Sequence, residues 1–391
     1  MPIAIFALSL AAFAIGTAEF IIAGVLPNLS ADFSVSIPTA GLLVTGYAVA
    51  VAIGGPILSV LTTRLPRKPM IVGLLALFAL GQAVCALAPS YGWLMAARIF
   101  VACSHGLFYG IASVAVADLV PLKKRGTALA LFFGGITVAN VLGVPGGTAI
   151  GNAFGWRWAF WAVGGFAGLA TLLVAWLLPP GKRHADEDAT LRSELKALTH
   201  HHVYLTYLVI AVVSVGAFSF ATYQVPLMIA VTGIPQEAAP AFLIIAGIGT
   251  VIGIYAGGRA TDWKLMPSLL AILLAQAAIA TIMLFASRHV PTMVVAIFIF
   301  GIFEFAFNAP VQTRILAASR HAPNLAATLV STAFNFGIAL GAWVGGLWID
   351  HGLGYATLPV IGIVCSLCAA AIAALSWSID RRRGAGLMAA Q

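Results

Sequence analysis

The stretch that decides the fold is IAIFALSLAAFAIGTAEFIIAGVLP, residues 3–27, in which Glu19 is the only charged residue. A membrane-spanning helix needs about 20 consecutive apolar residues, so this run is long enough to cross a bilayer. No basic residue precedes it and no small-residue cleavage site follows it. We therefore expect a first transmembrane helix here rather than a secretory signal peptide.

The rest of the chain has the same character. Of its 391 residues, 61% are hydrophobic and 8% are charged, and the mean hydropathy is +1.04. An ordinary soluble domain carries about 25% charged residues, so this composition excludes a soluble globule, a disordered chain and a nucleic-acid binder. The four cysteines all lie within apolar runs, where cysteine acts as a small hydrophobic residue.

Twelve apolar stretches of suitable length are separated by charges, prolines or glycines. They cover approximately residues 4–27, 38–62, 69–88, 92–117, 126–151, 156–179, 204–231, 239–258, 266–286, 290–313, 325–349 and 354–379. We therefore predict an all-α membrane protein with twelve transmembrane helices.

The basic residues sort onto alternate loops. Of the twenty lysines and arginines, seventeen fall on one side of this topology, Arg157 and Arg288 fall on the other, and Arg98 lies inside the fourth stretch. Cytoplasmic loops are rich in lysine and arginine, so both termini are predicted to be cytoplasmic, in a cell (inner) membrane. The formal net charge of +8 thus follows from topology and needs no nucleic-acid partner.

The longest polar interval, residues 181–203, divides the chain into two sets of six stretches. We predict six-helix halves over residues 1–180 and 204–380, a cytoplasmic linker with an amphipathic helix between them, and a cytoplasmic tail over residues 381–391. An offset of 199 residues aligns Gly54 with Gly253 and the end of the fifth stretch with the end of the eleventh. This offset predicts two duplicated, pseudo-symmetric halves, as many transporters have.

Four ionisable side chains lie inside predicted spans, namely Glu19, Arg98, His105 and Glu304. A charge at the bilayer centre costs about 2.5 to 3.5 kcal/mol, and such residues mostly face an aqueous path or a partner. Loss of water favours a neutral carboxyl and a nearby cation favours an ionised one, so Glu19 can switch between the two forms. We predict that Glu19 carries a proton, that Arg98 tunes it, and that His105 and Glu304, which the 199-residue offset aligns, take part. The alternative is a set of buried ion pairs that only hold helices together.

Neutral polar side chains inside the spans predict a substrate cavity. They are Asn140, Tyr223, Gln224, Asn308, Gln312 and Asn335. Glu304, Asn308 and Gln312 are four residues apart, which places them in one stripe of a helix. Each residue alone fits an interhelical hydrogen bond equally well. The set as a whole fits an apolar cavity with a few polar groups between the two halves.

Other chemistries find no support in the sequence. There is no G-x-x-x-x-G-K-[ST] motif for nucleotide binding, and no cluster with metal-ligand spacing. A membrane-embedded enzyme would need carboxylates or histidines clustered on one face, and a channel would need rings of charge or re-entrant loops. We therefore expect no cofactor, no metal and no enzymatic activity.

Three segments carry a family resemblance: GTAEF at 16–20 with VLP at 25–27, LGVPGG at 142–147 with GWRW at 155–158, and NFGIALGAWVGGLWID at 335–350. With these segments the chain resembles the major facilitator superfamily, and within it the twelve-span drug:proton antiporters of the arabinose-efflux and chloramphenicol-efflux type. The resemblance covers nearly the whole chain. It implies that Gly143, Pro145, Gly146 and Gly147 belong to an antiporter motif, and hence exchange rather than symport.

The resemblance also implies a conformational latch at the loop after the second span. In that loop, which includes Arg64, an Arg67 contact to Asp118 would favour the outward-open state; Thr63 stands where the family has an acidic residue. The second-half copy of the loop keeps Asp262.

The function predicted from the sequence is secondary active transport by a protein that works as a monomer in the lipid bilayer. Proton entry would drive the export of a small neutral or weakly polar organic molecule, drug-like or sugar-like, by alternating access of the two halves. A proton-coupled uptake symporter or a facilitator on the same fold remains the alternative.

Overall fold

A computed structural model describes residues 1–62, 65–180, 201–318 and 323–389 of the chain. These residues form helices and no strand, and twelve of the helices are long and apolar enough to cross a membrane. The helices are α1 (Ile3–Phe33), α2 (Ile37–Leu58), α3 (Arg67–Ala86), α4 (Tyr91–Asp118), α5 (Leu122–Phe154), α6 (Trp156–Leu177), α7 (Tyr204–Ala221), α8 (Gln236–Trp263), α9 (Leu265–Ala286), α10 (Val290–Ile315), α11 (Leu329–Asp350) and α12 (Tyr355–Arg381). The twelve predicted spans are therefore confirmed.

Two helices are interrupted close to a proline. A π-helix, Ala139–Gly143, precedes Pro145 in α5. In α10 a helix over Val290–Ala306 stops at Phe307, and a second helix, Asn308–Ala318, starts after it. Proline has no N–H to donate and its ring crowds the carbonyl four residues earlier, so the regular ladder of helical hydrogen bonds breaks there. Pro310 has this effect on α10, which the sequence analysis treated as one continuous helix.

The seventh predicted span, residues 204–231, is also divided. Its main helix is His201–Ala221, and a turn at Thr222 and Tyr223 leads to a short helix, Gln224–Leu227, and a π-helix, Met228–Thr232. The chain reaches the next helix only at Gln236. The polar residues Tyr223 and Gln224 therefore lie at a break, not inside a regular helix.

The same helix pairs form in both halves of the molecule. In the first half α2 packs on α4 and α3 on α6; in the second half α8 packs on α10 and α9 on α12. Gly54 of α2 lies against Cys103 of α4, and at an offset of 199 residues Gly253 of α8 lies against Ile302 of α10. The predicted fold, two pseudo-symmetric halves of six helices, is confirmed.

The two halves meet through α2 with α11 and through α5 with α8. The Thr45 hydroxyl of α2 donates to the Ala339 carbonyl of α11 at 3.2 Å. Between α5 and α8, Gly247 allows a close backbone contact, because a Cβ added there would lie 2.7 Å from the Asn140 carbonyl oxygen. The interface between the halves thus uses small and hydroxyl side chains, as is common between membrane helices.

The bundle has two faces. The basic face is the one at which the even-numbered helices end, and it carries Arg67, Arg125 and Arg259; the opposite face is the one at which the odd-numbered helices end. Arg157, a basic residue of the opposite face, is neutralised locally: its Nη1 lies 2.8 Å from Asp32, which also accepts from Trp156 Nε1 at 3.0 Å. This cluster ties the end of α1 to the start of α6.

Two predictions fall outside the described residues. They are the amphipathic helix of the linker and the side chain of Arg64.

Candidate proton and substrate site

Arg98 of α4 is the centre of a polar group inside the first half. Its side chain is 1% exposed. Nη1 donates to the Ala18 carbonyl of α1 at 3.0 Å, and the guanidinium lies 4.3 Å from the centre of the Tyr47 ring of α2. A guanidinium is weakly hydrated and stacks well on an aromatic face, which suits it to this dry position. Its Nε and Nη2 have no hydrogen-bond partner among the residues that the structure describes.

Glu19 of α1 faces the same group. Its side chain is 10% exposed, and Oε2 lies 4.0 Å from Nε2 of His105. Arg98 binds the carbonyl of the residue before Glu19 and, within the described part of the chain, makes no ion pair of 4.0 Å or less with the carboxylate. Arg98 therefore contacts the backbone next to Glu19 and not its carboxylate. His105 is the residue that lies closer to the carboxylate.

His105 completes the group, which we call the Glu19 network: Glu19, Tyr47, Arg98 and His105. The seven-residue spacing from Arg98 places His105 on the same face of α4, as predicted. Its Nδ1 is 3.0 Å from the Tyr47 hydroxyl. Tyr47, which the sequence analysis missed, thus contacts both Arg98 and His105. The sequence signal that could have found it is a tyrosine inside a predicted span, because a buried phenol needs a hydrogen-bond partner.

The second half has no such network. Phe218, Ala246 and Ile297 occupy the positions equivalent to Glu19, Tyr47 and Arg98, and only Glu304, aligned with His105, is ionisable. Glu304 is half-buried and makes no ion pair with the residues that the structure describes. The two halves therefore share a backbone plan but differ in chemistry.

An aromatic row joins the two halves. It consists of Phe20, Phe218, Phe334 and Phe305, with ring centroids 5.8, 5.5 and 6.1 Å apart in that order. Phe20 follows Glu19 in the chain and Phe305 follows Glu304. The row therefore runs across the interface from one carboxylate position to the other, and it presents apolar, aromatic surface between them.

Two predicted cavity residues, Asn335 and Asn308, lie near the second-half end of this row. Asn335, next to Phe334, is buried; its Nδ2 donates to the Ser331 carbonyl, and its Oδ1 has no partner in the described residues. Asn308 is half-buried and donates to the Phe305 carbonyl at 3.3 Å. Gln312 is exposed on the far side of the α10 break. The predicted stripe of α10 is thus divided between Asn308 and Gln312, and Asn335 of α11 lies beside Phe334 of the row.

The other three lie at the contacts between helices. Asn140 is half-buried in the π-helix of α5, beside Gly247 of α8. Tyr223 is fully buried, and its hydroxyl donates to the Ala342 carbonyl of α11 at 2.8 Å, which is the interhelical bond named above as the alternative. Gln224 is buried, and its Nε2 has no partner among the described residues.

The glycines of the predicted antiporter motif set the distance between α1 and α5. A Cβ on Gly143 would collide with Thr17 of α1, and one on Gly147 would collide with Ile21. Pro145 lies next to the π-helix, and Gly146 faces open space along an apolar groove of about 610 Å³ between α1, α5 and α6. The motif therefore lets α1, which carries Glu19, lie directly on α5.

The contact expected at the latch is present. Arg67, at the start of α3, binds Asp118, at the end of α4, and Nη2 of Arg125 lies 3.9 Å from the same carboxylate. All three residues belong to the first half and lie on the basic face. Asp262, the second-half candidate, is exposed near the end of α8.

No group of three or more histidine, cysteine, aspartate or glutamate side chains is placed to hold a metal ion in the part of the chain that the structure describes.

Twelve membrane-crossing helices in two related halves, with ionisable side chains buried inside the first half, are typical of a multi-pass membrane transporter. The sequence model of the Major Facilitator Superfamily matches residues 8–322. The inner membrane transport protein YdhP of Escherichia coli (strain K12) is 36% identical over 359 residues, 92% of each chain. The chloramphenicol resistance protein of Streptomyces lividans is 32% identical over 360 residues, 90% of this chain and 91% of that one.

A solved structure agrees in fold. A bacterial homolog to the human lysosomal transporter Spinster, in an inward-facing and occupied conformation, matches with a TM-score of 0.75 at 20% identity, over 96% of both chains. The chain belongs to the major facilitator superfamily. It is thus a multi-pass inner-membrane transporter of a family whose members are transporters and not enzymes.

Proposed function

We propose that the protein is a proton-coupled antiporter that exports a small neutral or weakly polar organic molecule. The observation that carries this proposal is the position of Glu19, a carboxyl 10% exposed inside a membrane helix and 4.0 Å from His105. A carboxylate there has lost most of its water, so its charge depends on its neighbours and on any hydration that opening of the bundle brings. Proton and cargo can then exclude each other, which is the requirement for exchange.

The direction of transport has two supports. The Streptomyces lividans relative is named for chloramphenicol resistance, which is consistent with export of the drug. The glycine and proline motif over 143–147, which the resemblance links to antiporters, holds the helix that carries Glu19 against α5. With the basic face cytoplasmic, both termini lie in the cytoplasm, and residues 1–180 and 204–380 act as the two moving halves of a monomer, joined by a linker over 181–203 and followed by a tail over 381–391.

The character of the site supports a neutral cargo. The aromatic row offers apolar contact, while Asn308 and Asn335 offer amide groups near its second-half end. Such a surface binds a drug-like molecule, and its amides can also bind a sugar-like one.

The energy source is sufficient. One charge that crosses a membrane potential of 100 mV gains about 2.3 kcal/mol, which supports a concentration ratio of tens for the cargo.

The test uses proteoliposomes with a pH-sensitive dye inside and an imposed proton gradient, to which chloramphenicol, arabinose and a nucleoside are added one at a time. We expect proton movement on addition of one compound, and none with Glu19→Gln. Glu237→Gln, which changes an exposed carboxylate of the opposite face, is the matched control and should behave as the wild type.

Two results would count against antiport. Solute and protons that move in the same direction across the membrane would identify a symporter. Solute that only equilibrates, without proton movement, would identify a facilitator. Unchanged proton movement in Glu19→Gln would remove Glu19 from the coupling site.

A further inference from the structure

Tyr47 links the parts of the Glu19 network, and nothing in the proposed function assigns it a role. We propose that Tyr47 is a positioning residue that fixes the tautomer of His105, so that Nε2–H of His105 is directed at the Glu19 carboxylate. This inference rests on the proposed role of Glu19 as the proton carrier. It adds that Tyr47, through His105, influences how readily Glu19 releases its proton.

The first step is the hydrogen bond between Tyr47 and His105. The Tyr47 hydroxyl lies 3.0 Å from Nδ1 of His105. A neutral imidazole carries one proton on its two nitrogens, and the hydrogen bond at one nitrogen decides which form it takes. If the phenol donates to Nδ1, the imidazole proton must be on Nε2, and Nε2 is the atom 4.0 Å from Oε2 of Glu19.

The second step is the direction of that bond. Tyr47 is 1% exposed, and among the described residues its hydroxyl has no hydrogen-bond partner other than Nδ1 of His105. A phenol that accepted from Nδ1–H would leave its own proton unpaired in an apolar interior, which is costly. The Arg98 guanidinium, 4.3 Å from the ring centre, adds to this because a cation on the ring face withdraws electron density and makes the O–H a better donor. The phenol therefore donates.

The other groups around His105 do not compete for its nitrogens. Tyr109, one turn along α4, contacts the imidazole edge-on at 5.1 Å, but its hydroxyl donates to the Ala12 carbonyl of α1. Arg98 binds the Ala18 carbonyl, and Cys85 of α3 lies near Tyr47 and Arg98. The groups that act on His105 are thus Glu19 from α1, Tyr47 from α2, and Arg98 and Tyr109 from α4 itself.

The consequence concerns the proton on Glu19. An Nε2–H directed at the carboxylate favours the ionised form, and the transported proton binds to and leaves the carboxyl oxygens while His105 keeps its own proton. At the equivalent second-half position Ala246 has no hydroxyl, so Glu304 has no such partner. The geometry therefore restricts this control to the first half.

The experiment needs no known substrate. Infrared difference spectra of the full-length protein in lipid are recorded as a function of pH, and the carboxylic C=O band of Glu19 is identified by its loss in Glu19→Gln. We expect Tyr47→Phe, which keeps the ring under Arg98, to move the midpoint of this band to higher pH by about half a unit to one unit. Tyr109→Phe is the matched control, since it removes a buried hydroxyl that bonds only a carbonyl, and we expect it to leave the midpoint unchanged.

A double substitution tests the path of the effect. In a His105→Phe background, Tyr47→Phe should cause no further shift, because the imidazole through which it acts is absent and phenylalanine offers no hydrogen bond in its place. A further shift in that background, or equal midpoints in the wild type, Tyr47→Phe and Tyr109→Phe, would overturn the inference. Should Tyr47→Phe fail to accumulate in the membrane, His105→Phe alone must move the midpoint to higher pH, and an unchanged midpoint would contradict the inference.

The two proposals can fail separately. Proton-coupled transport that is unchanged in Glu19→Gln would refute the proposed function. Transport that depends on Glu19, combined with a midpoint that does not respond to Tyr47→Phe, would refute only the role of Tyr47.

Discussion

Gln236 and Asn28 are hydrogen-bonded across the boundary between the two halves. Nε2 of Gln236, at the start of α8, donates to Oδ1 of Asn28, near the end of α1, at 3.0 Å. The same amide donates to Oδ1 of Asn152 of α5 at 3.0 Å, and Asn152 returns a bond to the Gln236 carbonyl. The three amides lie on the opposite face of the bundle. In the proposed alternating access the halves separate on this face, so we expect this amide cluster to break when that face opens.

We expect Gln236→Leu to favour the state that is open at the opposite face. The substitution removes two donor bonds, each worth about 0.5 to 1.5 kcal/mol, so the ratio of open to closed protein should rise roughly 5- to 150-fold. Spin labels introduced by Ala31→Cys and Leu353→Cys, with the four native cysteines replaced by alanine, report the distance between the halves on this face. Double electron–electron resonance should then show a larger fraction of long distances between the two labels.

The control for this prediction is Glu237→Gln. It changes the next residue, which is exposed, and should leave the distance distribution as it is in the labelled protein. If Gln236→Leu and Glu237→Gln gave the same distribution, the amide cluster would not hold the halves together.

Two adjacent glycines of α5 should respond in opposite ways to alanine. A Cβ on Gly135 would collide with the backbone carbonyl of Ser9 in α1, whereas a Cβ on Gly134 meets no atom within 4 Å. Gly135→Ala must push α1 and α5 apart and should cost about 1 to 3 kcal/mol of the free energy of unfolding. Gly134→Ala should gain about 0.5 to 1 kcal/mol, because alanine favours the helix. Thermal unfolding of the purified variants in detergent measures both changes.

The position of the two residues makes the pair a matched control. Equal losses in both variants would show that helix propensity or lipid contact, and not the approach of α1, decides stability at this point.

The sequence was sufficient for the fold and for residues that share one helix. Hydropathy alone predicted twelve helices, and an offset of 199 residues predicted the duplication that places Gly54 against Cys103 and Gly253 against Ile302. The spacing of Arg98 and His105 placed both on one face of α4. These features depend on local periodicity or on repetition, which one sequence records directly.

The contacts between helices could not be predicted in the same way. Tyr47 meets His105 only because α2 and α4 pack closely, and Gln236 meets Asn28 only through the packing of the two halves. The stripe that ends at Gln312 assumed a continuous helix, but the proline at 310 divides α10, and Gln312 is exposed. Partners across helices depend on packing distances and on local breaks, which helical spacing does not contain.

The ion pair between Arg67 and Asp118 should have only a modest effect on the rate of transport. It lies on the basic face and is partly exposed, with 17% and 41% of the two side chains accessible. An exposed pair is worth about 0.2 to 1 kcal/mol, so Asp118→Asn should change the rate of exchange by no more than about fivefold. Initial rates of proton-driven transport in proteoliposomes measure the change, which should shrink as ionic strength is raised.

A charge exchange separates this pair from general effects of charge. Arg67→Asp combined with Asp118→Arg should restore part of the rate, and not all of it, because an arginine at 118 also faces Arg125; Asp262→Asn, at an exposed site of the second half, should have little effect. If the exchange restored nothing and Asp262→Asn slowed transport equally, the change of net charge on this face would explain both results.

Glu304 should influence which compounds the protein recognises rather than how strongly they are driven by protons. It precedes Phe305 of the aromatic row, whereas Glu19 precedes Phe20 at the other end. No ion pair engages Glu304 in the described part of the chain, and the polar network lies in the first half. Glu304→Gln keeps the size of the side chain and one accepting oxygen, but it removes the charge and replaces the second oxygen by an NH2 donor. We therefore expect it to change the order in which drugs, sugars and nucleosides compete for transport while the pH dependence remains.

A competition order identical to that of the wild type would assign Glu304 a structural role only, and loss of the pH dependence would place proton coupling in both halves.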